Sequence, residues 1–527
     1  IGTVSLTGGD VSNVNVFANK GITANLGPIF GGDLSGGEWT VTGGDIKVDA
    51  DSISGTEFTA RGNVDLNANF ASIINAGVTV LGDGNAATLN AFQNIRNTTV
   101  ASAAAATLTA GSYIADTSVT AGTASLTAAG IGGTTVVAGG NIDVTGTIGE
   151  SSLTSLTGKV EIEKAVNGIT NVTASAGGNI KATEDIGWVA GGSFIASGDV
   201  NLTTAATILD AAVEGEVVTL DAKTGTIGTT AIGNVDVTAR DKATLSVTGD
   251  ISNSSVLAEN AATLTLTGDL NNNTVTAGKI AITGLVNLEN GSYLTKGVGA
   301  DGTLTVDASG TIEGATFTAE LSSVDLDAVG DILNATVTAL TTADLTAMLI
   351  ADTSVLAGEG ITTSGMLRNS NLTSHGGVEI KNASIVDNIE VNAGTITATE
   401  NIGTVTSGSL ISDGATTVSA QSILGTAFDA ATATLTASSD IQGIDVRVDS
   451  NAKLNSASIL DSDVIVSNAD GSIEVKATAI DGGSLRADKV NFDEFAADAD
   501  IQIGAASAVE VLGAETITVA NGGLVNI

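Results

Sequence analysis

The chain has no cysteine, one proline and one histidine in 527 residues. Without cysteine no disulfide staples the fold and no thiolate metal site exists. Proline removes a donor from a β-ladder, so a lone Pro28 suits a chain that is paired along nearly its whole length. Disordered chains carry more proline and fewer apolar residues than the 43% here. Aromatics make up 3%. Ala, Val, Ile and Leu must fill the interior, a narrow range of sizes that suits a core of constant cross-section. No apolar run is long enough to span a bilayer; even Ala101–Ala106 ends in a Thr-containing strand pattern. Basic residues are scarce as well, with 19 Lys+Arg against 58 Asp+Glu and a net charge of −39. Nucleic-acid binding needs clusters of Lys and Arg, so nucleic acid is excluded as a partner, and anionic membrane surfaces are disfavoured. The charge reads as solubility, because like-charged long faces repel one another sideways.

What the chain does contain is a repeat of about twenty residues. TLSVTGDISNSSVLAEN (244–260) is followed by TLTLTGDLNNNTVTAG (263–278), and later by TLTVDASGTIEGATFTAE (303–320) and SVDLDAVGDILNATVTAL (323–340). With Gly249, Gly268, Gly310 and Gly330 as zero, Ile251, Leu270, Ile312 and Ile332 stand at +2. Val256, Val275, Phe317 and Val337 stand at +7. A period near twenty with alternation inside each unit marks a solenoid whose coils are strands.

One coil is legible residue by residue. Leu264 and Leu266 alternate with Thr263, Thr265 and Thr267, a period of 2 and therefore a strand with one buried face. Gly268-Asp269 turns a corner and Leu270 points back inside. Asn272 at +4, matched by Asn253, Asn334 and Gly314, reads as a second bend in the left-handed conformation that Asn and Gly tolerate. Val275 lies on a further strand and Ala277-Gly278 forms the third corner. The sequence thus predicts an all-β chain, a right-handed parallel β-helix with about three short strands per ~19-residue coil. The first strand is expected at Ile142, Val160, Ile180, Val200 and Val218, and again at Leu345, Ile361 and Val378. Residues 1–527 read as one continuous β-solenoid of roughly 27 coils and about 130 Å. The pattern is loosest at Asn15–Gly37 and after Asp493. The opening strand alternation at Val4 and Leu6 and the apolar Gly522–Ile527 lack polar caps. Both ends are therefore expected to meet more protein, either flanking sequence or a second copy.

No catalytic, cofactor-binding or metal residue is assigned. His375 sits in a corner, Ser374-His375-Gly376-Gly377, without marked partners. Asp325 and Asp327, or Asp461 and Asp463, alternate as an outward acidic face and not as a glycosidase pair. The Gly-Asp corners at Asp10, Asp33, Asp45, Asp199, Asp250, Asp269 and Asp331 lack the nonapeptide run of a calcium-binding β-roll and read as turns. Outward T-x-T pairs (Thr274/Thr276, Thr316/Thr318, Thr336/Thr338) are like those of ice-binding solenoids, but neighbouring coils break the series. Trp39, Trp188, Tyr113 and Tyr293 are too far apart to form a sugar-stacking row among themselves.

Phrases such as AGGNIDVTGTI, SAGGNIKATEDI, ASGDVNLTTAATI and LTASSDIQG resemble the repeat region of filamentous-haemagglutinin-type bacterial exoproteins. The resemblance implies a bacterial extracellular or cell-surface location and an adhesive role. The expected function is a structural rod, an adhesin stalk or fibre subunit that stacks end to end. No cofactor is expected, and neither is membrane insertion. Partners are expected through the solenoid ends, with a surface receptor unspecified. A β-helical carbohydrate-active enzyme and an ice- or cation-binding solenoid stand as alternatives.

Overall fold

The computed structural model describes residues 2–27, 31–223, 229–296, 302–468, 470–477, 479–492, 510–512 and 516–519. Pro28 and the apolar terminus Gly522–Ile527 lie outside them. Among the described residues every regular element is a strand, and the strands pair in parallel. They stack into a β-solenoid of about 25 turns with ~19-residue coils. The chain divides into two compact units, Ile1–Gly268 and Asp269–Ile527.

In the first unit, a coil consists of Asp45–Ala50, Ile53–Ser54 and Glu57–Ala60. The next consists of Val64–Ala68, Ile73–Ile74 and Gly77–Val80. Ile46 pairs with Val64, Ile53 with Ile73 and Phe58 with Val78, so buried residues stand on buried residues. The expected first-strand column is present, with Ile142, Val160, Ile180, Val200 and Val218 in successive register. Leu264 and Leu266 are buried over Leu245 and Val247. Where a corner flattens, strands run through it with a bulge, as in Ser118–Gly132 between Thr127 and Gly130.

The second unit repeats the plan. Leu304–Ala308, Ile312–Glu313 and Thr316–Ala319 are followed by Val324–Ala328, Asp331–Leu333 and Thr336–Ala339. Leu304 pairs with Val324, Ile312 with Ile332 and Phe317 with Val337. Leu270 and Val275 are fully buried, on Leu288 and Tyr293. One register differs from expectation. Ile361 stands on Ala343 and Leu345 stands on Thr363, so that coil has 18 residues and not 16. Ala343 is fully buried but too small to advertise an inward position. A slip of two residues preserves the face, which is why the error left the alternation intact.

The second bend also behaves as expected. Asn253 (φ 50°), Asn272 (φ 53°), Gly314 (φ 66°) and Asn334 (φ 51°) all adopt the left-handed conformation. Corresponding corners use Asn75, Asp116, Asp210, Asp352 and Asn388. The residue after this bend turns inward, and in many coils it is a buried Ser or Thr. Its hydroxyl donates to the carbonyl two residues earlier, as Thr117 does to Ala115 (2.9 Å), Ser151 to Gly149 (2.8 Å) and Ser370 to Arg368 (2.7 Å). Each of these carbonyls also accepts a backbone N–H from the preceding coil (Asn97, Gly133 and Asp352), so it is the buried hydroxyl that gains a partner at the corner.

Candidate functional site

The Gly-Asp corners are hydrogen-bonding joints between coils. Asp45 accepts the Asn63 N–H (2.7 Å), Asn63 in turn accepts that of Ala86 (2.9 Å), and Asp269 accepts that of Asn287 (3.0 Å). Asp10 and Asp199 accept backbone N–H groups of Asp33 and Val217 in the same way. Their carboxylates are therefore already engaged in holding the backbone of the following coil. Among the described residues no three His, Asp or Glu side chains converge in a metal-holding geometry.

Asp325 and Asp327 are both exposed on the long strand, with Asp307 and Asp344 in register beside them. Partial desolvation, followed by the charges of Asp344 and Asp327, pushes the Asp325 carboxyl above its ordinary value. Asp461 and Asp463 likewise both face outward on Ser458–Val466, on either side of buried Ser462; Asp461 (φ 50°) also forms the left-handed bend, and Asp463 accepts from Ser484 Oγ at 2.7 Å. His375 borders a shallow depression of 320 Å³ together with Glu320, Leu340 and Leu356. In register, Glu320 and His375 stand three coils apart, with Leu340 and Gly358 between them. That is about 14 Å at the strand spacing, too far for an acid–base pair. The outward column next to it runs Thr276, Leu294, Thr318, Thr338, Leu356, Thr373, so leucines interrupt the threonines.

A charge ladder crosses the long strands of the first unit. Glu161 lies between Lys159 and Lys181, accepting from both, and Lys159 also reaches Asp143 (3.6 Å). The hydrogen bonds from Lys159 and Lys181 hold the Glu161 carboxyl below its ordinary value.

The large rings divide into core and surface. Trp39 and Tyr293 are fully buried. Trp39 meets Phe58 edge to face at 5.8 Å and donates its Nε1–H to the Val14 carbonyl, whereas Tyr293 stacks on Phe317 at 5.3 Å. Burial raises the Tyr293 phenol well above its usual range, and its hydroxyl has no partner. Trp188 is half-buried and covers Gly168, where a Cβ would stand 2.5 Å from the indole. Tyr113 alone of the four is exposed.

Tyr113 is joined there by two rings that the reading of Trp and Tyr alone passed over. Phe70 (56% exposed) and Phe92 (65%) occupy the corner after the long strand in successive coils, and Tyr113 (55%) opens the short strand just past that corner in the next coil, in register with Asn94. The strands before this corner are in register at Ala68, Ala91 and Ala110, and those after it at Ile73, Ile95 and Ile114. Tyr113 leans over Gly130 of the next coil, where a Cβ would stand 2.5 Å from Cε1 of the ring. Exposed Asn69 and Gln93 and half-buried Asn94 adjoin the rings in sequence; Gln93 Nε2 donates to the Phe70 carbonyl (3.5 Å) and Asn94 Nδ2 to Ser72 Oγ (3.3 Å). The separations in sequence are 22 and 21 residues, whereas the coil steps there are 22 to 23 and then 19, so Tyr113 stands two places beyond the position in register with Phe92. A spacing near one coil, applied to Phe as well, is the signal that brings the three together.

No family model matches this chain, and neither a curated protein nor a solved structure matches it.

Proposed function

We propose that this chain is a structural rod of an extracellular or cell-surface assembly, an adhesin stalk or fibre subunit, and not a catalyst. The observation that carries the reading is coil regularity. Among the described residues register steps run from 17 (Ile361 to Val378) to 27 (Lys489 to Thr516), with coils of ~19 residues prevailing, so chain length is spent mainly on more coils and not on lateral walls. A glycan-cleaving site needs a walled cleft, whereas the depression beside His375, among the described residues, is shallow. Axial load on such coils is shared by three hydrogen-bonded ladders in parallel, which suits a spacer. The resemblance to filamentous-haemagglutinin-type repeats agrees with that role.

Antibodies raised against the purified chain test the proposal on intact cells of the source organism. Labelling of unpermeabilised cells, or of filaments projecting from them, is expected. Labelling that requires permeabilisation overturns it.

A further inference from the structure

We propose that the corner carrying Phe70, Phe92 and Tyr113 is a stacking platform for a neutral polysaccharide. Among the described residues the exposed aromatic rings are Phe17, Phe70, Phe92 and Tyr113, and three of the four lie at or just past this one corner on consecutive coils. Aromatics cost solubility, and this composition has few of them, so their concentration at one place is informative. Phe92 and Tyr113 lie in a charge-poor stretch, whereas Asp51 stands one coil before Phe70, its carbonyl accepting the Phe70 N–H. Between Asp83 and Asp143 the only charged residues are Arg96 and Asp116, in a chain of net charge −39.

The two features select the occupant. A pyranose offers an apolar C–H face and a polar rim of hydroxyls. Rings supply the complement to the first, as amphipathic recognition sites generally do. The amides of Asn69, Gln93 and Asn94 supply neutral donors and acceptors for the second, one N–H each of Gln93 and Asn94 being already given to the Phe70 carbonyl and Ser72 Oγ. A polyanion would find a single exposed cation there, Arg96, in a chain of net charge −39, and a protein partner would require a broader apolar patch than three rings rimmed by amides. Two coil steps give a run of about 10 Å along the solenoid axis, which suits a polymer lying across several rings. The platform is rigid. Its backbone is fixed by the Phe92 N–H to Ala68 O (2.9 Å) and Gln93 N–H to Ala71 O (3.0 Å) bonds, so little order has to be gained on binding. This inference concerns the purified chain and does not rest on where the rod is deployed.

Affinity electrophoresis of the full chain through gels containing mixed-linkage β-glucan, hydroxyethylcellulose, galactomannan or, as an acidic control, polygalacturonate tests it. Retardation by at least one neutral polymer and none by polygalacturonate is expected. The triple variant Phe70→Ala/Phe92→Ala/Tyr113→Ala should lose retardation at least about tenfold, as the removal of central aromatic contacts generally does. Tyr113→Phe keeps the ring and should behave as wild type, and Phe17→Ala, on another surface, should change nothing. Unchanged circular dichroism keeps the triple variant interpretable; were it misfolded, the single variants Phe70→Ala and Phe92→Ala decide by the same readout. Passage of the wild-type chain through every neutral gel overturns the proposal. So does retardation insensitive to the three rings, or concentration-dependent self-association that the triple variant abolishes, which would assign the corner to a second copy of the chain.

Discussion

At the scale of the residue, each corner is solved by a different side-chain chemistry. The left-handed bend needs a residue without a strong Cβ penalty, and Asn, Asp and Gly share the work. Asn has a further use, because its side chain can bond to the same corner in the next coil. Asn388 Nδ2 donates to Asn369 Oδ1 (3.0 Å), and Asn97 Nδ2 to Asn75 Oδ1 (3.2 Å). Where Gly stands beside Asn in the next coil, the amide fills the vacated space: a Cβ at Gly191 would collide with Asn171 Oδ1. Asn388→Ala should therefore lose both the favourable backbone and the amide bond, costing about 1 kcal/mol or somewhat more. Asn388→Gly retains the backbone conformation and should cost less. Hydrogen exchange at the amides of residue 388 and Glu390 checks the order, wild type slowest and alanine fastest; equal rates for the two variants would remove the backbone from the account.

At the scale of the element, a strand's inward set is legible wherever the inward residue is large. Ile142, Val160, Ile180, Val200 and Val218 announce their column, because Ile and Val are unmistakable against Thr and Asn. Ala343 and Thr363 do not, and the register there could not be read from hydropathy alone. The inward Ser and Thr after the left-handed bend were equally hidden: their polarity argues for the surface until the corner carbonyl that accepts their hydroxyl is placed. The aromatic corner was missed for another reason. Its members are two Phe and one Tyr, and only coil geometry turns separations of 22 and 21 residues into adjacency. Across strands, charge pairs such as Lys181 and Glu161 come from parallel register, which brings residues about one coil apart in sequence side by side. The sign of their pH dependence follows. Glu161 is held below its ordinary value, so its contribution is complete above the unfolded-chain carboxylate range, near about pH 4. It is lost as pH falls through the lowered folded value. Glu161→Gln should lower the melting midpoint slightly at pH 7, by a solvent-screened amount below about 1 kcal/mol. The gap from wild type should close in acid; a gap that persists undiminished would mean that packing, not charge, was lost.

At the scale of the whole molecule, stability in a solenoid is a sum over coils and their interfaces, and not the property of one central core. Long-range ladders make each coil depend on its neighbours, while nothing in the register ties a coil to one several turns away. That predicts which deletions the chain tolerates. In the second unit Leu304 pairs with Val324, and Val324 with Ala343. Removing residues 324–342 joins Ser323 to Ala343 and takes out one coil in register. Leu304 would then stand under Ala343, Ile312 under Ile350 and Phe317 under Val355, each inward residue meeting another inward residue. Removing 324–333 takes out half a coil and joins Ser323 to Asn334, so the third strand arrives where the long strand belongs and every column breaks. The first deletion should keep a β-sheet circular dichroism spectrum and a melting midpoint close to the full chain's, because only nearest-neighbour terms have been exchanged. The second should open the adjoining coils, read as fast hydrogen exchange spreading outward from the junction through Leu304–Ala308 and Thr342–Ala351. Equal damage from the two deletions would mean that the coils are not interchangeable units, and that stability rests on contacts specific to residues 324–342.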